Sequence, residues 1–146
     1  MNTILDIKKR LLLHNIKPSQ QRIAVMQYLM DVKTHPTADM IYSALSPAMP
    51  TLSRTTIYNT LKLLSEQGAI KTLNIDDKNV RYDGDITIHA HFRCKQCGGI
   101  YDLPMHFAQG IGQIRDAVVT GLDITECQVY YKGYCKNCKQ PANNKN

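Results

Sequence analysis

The sequence predicts an α+β protein in which a winged helix-turn-helix domain is followed by a small α/β domain. Helix-spaced apolar residues run through the first half, and a polar turn then separates two short strand-like segments. The second half carries two Cys-x-x-Cys pairs, Cys94 with Cys97 and Cys135 with Cys138. The predicted organisation is a first domain at 1–82, a hinge at 83–87, a second domain at 88–138 and a disordered tail at 139–146.

Four helices are predicted in the first half. Ser19 and Ser53 precede the second and fourth helices and can cap them, Thr37 starts the third, and Gly68 ends the fourth. The apolar stripes are Ile4, Ile7, Leu11 and Leu12, then Ile23, Met26 and Met30, then Ile41 and Leu45, and finally Ile57, Leu61 and Leu64. Short strands at 69–74 and 79–82 flank the turn at 76–78 and form the wing.

The fourth helix leaves a polar face exposed near its start, formed by Arg54, Thr55, Tyr58, Asn59 and Lys62. Such side chains can reach base edges and phosphates in a major groove. Residues 1–82 hold 11 Lys/Arg against 6 Asp/Glu, whereas residues 83–146 hold 7 against 6. The helix pattern and the concentration of positive charge together predict that the first half binds DNA. The alternatives are a protein-docking module and an ordinary solvated basic face.

In the second half, strands are predicted at 91–95, 99–103 and 124–131, with a helix at 105–119. The paired cysteines supply the four soft ligands of a closed tetrahedral zinc site, which would contribute much of the folding free energy of a small domain. A redox dithiol is the competing interpretation of a Cys-x-x-Cys pair. Cys127 is left over and is predicted to be a small buried apolar residue.

A second metal site is indicated by His89 and His91, because residues two apart on a strand share one face. Candidate carboxylate partners are Asp83, Asp85 and Asp102. Spacing alone does not choose between Asp83 and Asp85, and it does not include the distant His35. The remaining histidines, His14 and His106, are interpreted as ordinary surface or core residues.

Several runs of sequence together resemble the ferric uptake regulator superfamily, over nearly the whole chain. They are His35-Pro36-Thr37-Ala38-Asp39, Ser53 to Leu61, Gly68-Ala69-Ile70, and His89-x-His91-x-x-Cys94-x-x-Cys97. The resemblance implies a metal-responsive transcriptional repressor that forms a homodimer through its second domain and binds a palindromic operator in double-stranded DNA.

Within that superfamily the chain is most similar to the peroxide-sensing branch. The resemblance implies that iron(II) or manganese(II) is bound by His35, Asp83, His89, His91 and Asp102, and that peroxide oxidises His35 or His89. Aspartate at 83 and 102, where iron sensors typically have glutamate, favours this branch. For DNA, resemblance and chemistry together point to Lys17, Arg22, Arg54, Thr56, Tyr58 and Asn59.

The main alternative is an iron- or zinc-responsive repressor of the same superfamily without peroxide chemistry. A small oxygenase or hydrolase is disfavoured by the basic winged helix, so we expect no enzymatic activity. A zinc-ribbon scaffold that binds only proteins would show no salt-dependent DNA affinity. No segment approaches the roughly 18 apolar residues of a membrane helix, and charged residues occupy the N-terminus where a signal peptide would be apolar, so the sequence predicts a cytoplasmic protein.

Overall fold

The computed structural model describes residues 2–108, 121–123 and 126–139, and the chain divides into two units, Met1–Ile86 and Thr87–Asn146. The first unit contains four α-helices and a two-stranded hairpin, and the second contains a three-stranded sheet. The predicted α+β class is therefore confirmed. Within the described part of the chain, no helix has the length and apolar character needed to cross a membrane.

Every helix of the first unit begins after a hydroxyl side chain that accepts a hydrogen bond from a backbone N–H in the first turn. The helices are α1 (Ile4–Leu13), α2 (Gln20–Asp31), α3 (Ala38–Leu45) and α4 (Arg54–Glu66). The predicted caps at Ser19 and Ser53 are confirmed, and Thr37, which was predicted to start the third helix, caps it. Thr3 caps α1 as well, in a capping box with Asp6. Local sequence thus determines where each helix starts.

The four helices share one apolar core. Its fully buried side chains include Ile7, Leu11, Val25, Met26, Leu29, Ile41, Ile57, Leu61 and Leu64. The predicted stripe of α4 is buried as expected. That of α1 is only half correct, because Ile4 and Leu12 are 56% and 59% exposed. Since α1 packs against α2, the contact with one neighbouring helix buries only a narrow strip of its surface.

The wing is an antiparallel hairpin of β1 (Lys71–Leu73) and β2 (Arg81–Asp83), in which Lys71 lies opposite Asp83. The Asp76 carboxylate closes the connection by accepting hydrogen bonds from the backbone N–H of Lys78 at 2.9 Å and from Arg81 Nε at 3.0 Å. The predicted turn is confirmed. The strands are shorter than predicted, which leaves the rest of both segments as connecting loop.

The second unit contains β3 (Ala90–Cys94), β4 (Ile100–Leu103) and β5 (Tyr130–Gly133), in the sheet order β4-β3-β5. β3 is antiparallel to β4 and parallel to β5, with Cys94 opposite Gly133. The chain after β5 therefore returns to the end of β3 where the first cysteine pair begins. This topology brings together two motifs that are 38 residues apart between Cys97 and Cys135.

Four expectations for the second unit need revision or lie outside the described residues. The strand predicted at 124–131 is instead β5, because residues 126–129 form no strand. Cys127 precedes that strand and is exposed, so the prediction of burial is wrong. Residues Met105–Ala108 form a single 3₁₀ turn. The remainder of the helix predicted to 119 lies outside the described residues, as does the tail from 140.

Candidate metal centres and basic surface

The four predicted thiol ligands form one cluster in the second unit. Their sulfur atoms all lie within 4.8 Å of one another, and the Sγ atoms of Cys97 and Cys135 are 3.8 Å apart. Sulfurs on a tetrahedral zinc ion with bonds of about 2.3 Å are separated by roughly 3.8 Å. A disulfide requires sulfurs about 2.05 Å apart, and all four cysteines are free thiols. The cluster therefore fits a closed tetrahedral zinc site.

Backbone amides stabilise thiolate charge in this cluster before any metal is considered. The N–H of Cys135 donates to Cys94 Sγ at 3.3 Å, and the N–H of Gly99 donates to Cys97 Sγ at 3.4 Å. Backbone N–H groups, chiefly that of Cys97, lower the pKa of Cys94 to about 6. Because zinc binds thiolate and not thiol, these amides would favour zinc binding at Cys94.

A second cluster in the same unit is made of two imidazoles and a carboxylate. His89 Nε2 and His91 Nε2 lie 3.2 and 3.3 Å from the same Asp102 oxygen. His91 and Asp102 are directly opposed on β3 and β4, whereas His89 precedes β3 instead of lying on it as expected. His89 Nδ1 lies 2.8 Å from the Thr87 carbonyl, to which it donates when it carries the proton. That tautomer presents Nε2 as a metal ligand.

His35 and Asp83 form a further pair, within the first unit. His35 Nε2 lies 3.5 Å from an Asp83 oxygen, and the residues are 2% and 6% exposed. Asp85 is the other candidate ligand, and its backbone N–H donates a hydrogen bond to Asp83 Oδ1 at 2.9 Å. The structure therefore brings His35 to Asp83, an association that sequence spacing alone did not identify. The five predicted ligands of the regulatory metal present only nitrogen and oxygen atoms, which suit Fe(II) or Mn(II) better than soft metals. They are His35, Asp83, His89, His91 and Asp102.

The wing positions His35, whose backbone has a φ of 55°, a left-handed conformation uncommon for residues other than glycine. Arg81 on β2 donates to the His35 carbonyl at 3.2 Å, and the backbone N–H of Tyr82 donates to the Pro36 carbonyl at 3.0 Å. Because Asp83 ends the same strand, β2 fixes both members of the pair. Sequence reasoning did not identify Arg81 as a positioning residue, since its partner is 46 residues away.

The segment after Asp83 is closely packed in the first unit. Arg10 donates to the carbonyls of Ala69 and Gly84, the former at 2.8 Å. A Cβ atom at Gly84 would lie 2.5 Å from the Leu29 carbonyl oxygen, so only glycine fits there. The start of the predicted hinge at 83–87 is therefore held in place, because Gly84 contacts both α1 and α2.

The predicted DNA contacts converge on one face of the first unit. A cavity of about 460 Å³ is lined by Lys17, Arg22, Thr56 and Asn59, together with neighbouring residues of α2 and α4. A second groove, of about 450 Å³, separates α4 from the wing and is lined by Tyr58, Asn59 and Lys62 among others. We call this face, with Arg54 at the start of α4, the basic surface. The predicted polar face of α4 is exposed.

One residue of the basic surface was not singled out from the sequence. Asp39 in the first turn of α3 accepts hydrogen bonds from Arg54 at 2.8 Å and from the Tyr58 hydroxyl at 3.2 Å. It lies in the run that carried the family resemblance, but nothing in that run indicates a contact with α4. Only the packing of α3 against α4 makes the contact apparent.

Comparison with known proteins gives consistent matches along most of the chain. A model of the ferric uptake regulator family matches residues 14–132. The peroxide-responsive repressor PerR of Staphylococcus epidermidis is 38% identical over 88% of this chain and 85% of its own. That of Staphylococcus aureus strain Mu50 is 38% identical over 85% and 83%.

Solved structures show the same arrangement of elements. The Campylobacter jejuni peroxide stress regulator has a TM-score of 0.69 at 28% identity, covering 94% of this chain and 100% of that one. The Helicobacter pylori ferric uptake regulator Fur has a TM-score of 0.71 at 22% identity and 97% coverage of both chains, which shows a shared fold.

Proposed function

The chain belongs to the ferric uptake regulator family, and from that premise we propose that it is a metal-dependent DNA-binding repressor that senses hydrogen peroxide. Relatives named as peroxide-responsive repressors, at 38% identity over most of the chain, support the sensing function. The observation that carries the proposal is the separation of ligand types. A thiol cluster suits structural zinc, and a distinct nitrogen and oxygen set suits an exchangeable metal.

We assign one Fe(II) or Mn(II) ion to His35, Asp83, His89, His91 and Asp102. Two carboxylates would balance the charge of a divalent ion, and the imidazoles would supply neutral nitrogen ligands. His35 and Asp83 belong to the first unit and the other three ligands to the second. A single ion bound by all five would therefore couple the DNA-binding unit to the second unit.

Coupling between the units would control DNA binding through the geometry of a homodimer. In a two-fold dimer, the orientation of the DNA-binding units sets the distance between the two α4 helices, which must match the half-site spacing of a palindromic operator. Metal that fixes this orientation raises operator affinity, and by linkage operator DNA raises metal affinity by the same factor. Loss of a ligand to oxidation removes both effects.

Fe(II) held by these residues would supply the redox chemistry that activates peroxide beside the imidazoles. In the proposed oxidation, an imidazole C–H of His35 or His89 gains one peroxide oxygen, and the other oxygen leaves as water. Peroxide is thereby reduced while the imidazole is oxidised. His89 and His35 lie beside carboxylates that hold them in place, Asp102 at 3.2 Å and Asp83 at 3.5 Å.

Mass spectrometry of the Fe(II)-loaded protein after peroxide treatment tests the sensing chemistry. We expect one added oxygen on a peptide containing His35 or His89, together with release of operator DNA. The Mn(II)-loaded protein is the matched control and should remain unmodified and bound. Unmodified histidines with DNA binding retained under peroxide would favour the alternative function, an iron- or zinc-responsive repressor without peroxide chemistry.

We further propose that the basic surface is the DNA interface, with Tyr58 and Asn59 at base edges, Lys17 at the minor groove or the backbone, and Arg22, Arg54 and Thr56 at phosphates. The convergence of Lys17, Arg22, Thr56 and Asn59 on one cavity supports a shared interface. Arg22 donates to the Lys17 carbonyl at 2.8 Å, which holds the loop before α2 against the helix.

Zinc at the four thiols would stabilise the second unit, to which we assign dimerisation.

Two substitutions separate affinity from sequence preference. Lys17→Ala should weaken operator and random duplex equally and reduce the slope of log affinity against log salt by about 0.9, because one phosphate contact is lost. Tyr58→Ala should lower the preference for operator over random duplex by roughly 10-fold, because a base contact is lost. Fluorescence anisotropy across a salt series measures both quantities.

Lys33→Ala provides the control, since it removes the same charge from an exposed residue that does not line the cavity. Equal losses on operator and random duplex for Lys17→Ala and Tyr58→Ala alike would contradict the division of roles.

A further inference from the structure

Two of the proposed DNA contacts are held by a carboxylate on a different helix. Asp39 Oδ1 accepts from Arg54 at 2.8 Å and from the Tyr58 hydroxyl at 3.2 Å. The Arg54 guanidinium carbon also lies 4.5 Å from the centre of the Tyr42 ring, on the next turn of α3. Thus two residues of α3, Asp39 and Tyr42, contact the Arg54 guanidinium, and Asp39 also binds the Tyr58 hydroxyl.

These contacts are located on the surface and not in the core. The side chains of Arg54 and Asp39 are 58% and 64% exposed, and Tyr58 is 49% exposed. An exposed ion pair stabilises a fold by only about 0–1 kcal/mol. Stability is therefore a poor explanation for a negative charge placed among residues that face a polyanion. Its effect on DNA binding is the more informative consequence.

We propose that Asp39 is a specificity-determining residue of the basic surface. This inference rests on the proposed DNA-binding function. The Asp39 carboxylate binds the Arg54 guanidinium in the way that a phosphate group would. Arg54 therefore contributes little to the binding of random duplex. Only an operator whose backbone approaches α4 closely draws Arg54 from the carboxylate. Asp39 thereby lowers non-specific affinity more than specific affinity, and discrimination depends on that difference.

The contact with Tyr58 adds a second element of specificity. A phenol has one hydrogen to donate, and here it is directed at Asp39. The Tyr58 oxygen then keeps only its acceptor capacity for DNA, and the contact restrains the orientation of the ring. Replacement of Asp39 by alanine removes both constraints, so Tyr58 can donate as well as accept and can rotate. Base preference should broaden as a result.

The experiment compares Asp39→Ala and Asp39→Asn with the wild type, all zinc-containing and loaded with Mn(II). The two probes are a random-sequence duplex and the duplex that the wild type enriches from a randomised library. For Asp39→Ala we expect random-duplex affinity to rise roughly 3- to 10-fold and the salt slope to steepen by about 0.9, as one cation is released to a phosphate. Operator affinity should change less, so the specificity ratio falls.

Asp39→Asn keeps an oxygen that can accept from Tyr58 but loses the charge. It should therefore show the steeper salt slope while keeping the base preference of the wild type. In an Arg54→Ala background, Asp39→Ala should leave the salt slope unchanged, because the cation that it would release is absent. Thermal melting verifies that each variant is folded.

Asp31→Ala is the charge-matched control, since Asp31 is exposed at the end of α2, lines neither cavity and accepts hydrogen bonds from Asn2 instead of a basic side chain. A rise in random-duplex affinity as large for Asp31→Ala as for Asp39→Ala would reduce the effect to net charge and overturn the proposal. So would an unchanged specificity ratio in Asp39→Ala. If the wild type itself enriches no sequence, the proposed DNA-binding function fails, and the role of Asp39 fails with it.

Discussion

Cys94→Ser is expected to unfold the second unit while leaving the first unit folded. Cys94 is fully buried at the end of β3, and its sulfur accepts a hydrogen bond from the backbone N–H of Cys135. A structural zinc ion contributes about 10–16 kcal/mol of apparent binding free energy, comparable to the roughly 5–15 kcal/mol total stability of a typical domain. A hydroxyl is a poor zinc ligand, so the loss of metal should remove most of the free energy that folds this unit.

The topology explains why the loss of zinc should affect the whole described sheet of the second unit. β5 is joined to β3 by parallel pairing, and both cysteine pairs lie at the same end of that ladder. Zinc at the four thiols would therefore hold β5 to the β3–β4 hairpin, and its loss would release β5. The first unit has its own apolar core of four helices and does not use the cluster.

Hydrogen exchange measured by mass spectrometry localises the effect. Peptides from 90–103 and 126–139 should lose protection in Cys94→Ser, and peptides from α2 and α4 should keep it. Cys127→Ser is the matched control, because Cys127 is exposed and lies outside the cluster. It should retain zinc and wild-type protection. A zinc-free Cys94→Ser protein with unchanged protection in the second unit would contradict a structural role for the metal.

What the sequence predicted correctly was mostly local in origin. Ser19, Thr37 and Ser53 mark helix starts because each cap bonds to an amide three residues later. The turn at Asp76 is equally local, since its carboxylate accepts from Lys78 two residues away. The spacing of the thiols identified their cluster because two knuckles of this kind have few other chemical uses.

What the sequence did not predict depends on packing between distant segments. Nothing near Asp39 indicates that its carboxylate would meet Arg54, and nothing near Arg81 indicates a bond to the His35 carbonyl. The prediction that Cys127 is buried was wrong for a related reason. Its burial was inferred from membership of a strand, but β5 begins at Tyr130. Helix and strand periodicity describes one element at a time and does not determine which neighbour covers it.

His91→Gln is expected to abolish the rise in DNA affinity that Mn(II) produces in the wild type. His91 is 4% exposed and faces Asp102 across the β3–β4 ladder, so the removal of its imidazole deletes a central ligand of the proposed site. The loss of even an outer-shell partner weakens metal binding about 10- to 100-fold, and a direct ligand should cost at least as much. Glutamine keeps most of the volume, which limits repacking against the neighbouring His89 and Tyr130 rings.

Titration of operator binding with Mn(II) at fixed protein concentration measures this effect. His106→Gln is the control, because His106 is an exposed histidine of the same unit. Zinc content should be unchanged in both variants, which separates the exchangeable site from the thiol cluster. A His91→Gln protein whose operator affinity still rises with Mn(II) as in the wild type would remove His91 from the regulatory site.

The parallel variant His35→Gln tests whether one ion couples the two units. If His35 and His91 bind the same ion, either substitution must weaken Mn(II) binding and reduce the coupling between metal and operator by a similar factor, because linkage is reciprocal. If His35→Gln leaves Mn(II) affinity intact while His91→Gln destroys it, the second unit binds the ion alone. The coupling would then need another route, and the pairing of His35 with Asp83 at 3.5 Å would be a structural feature of the first unit.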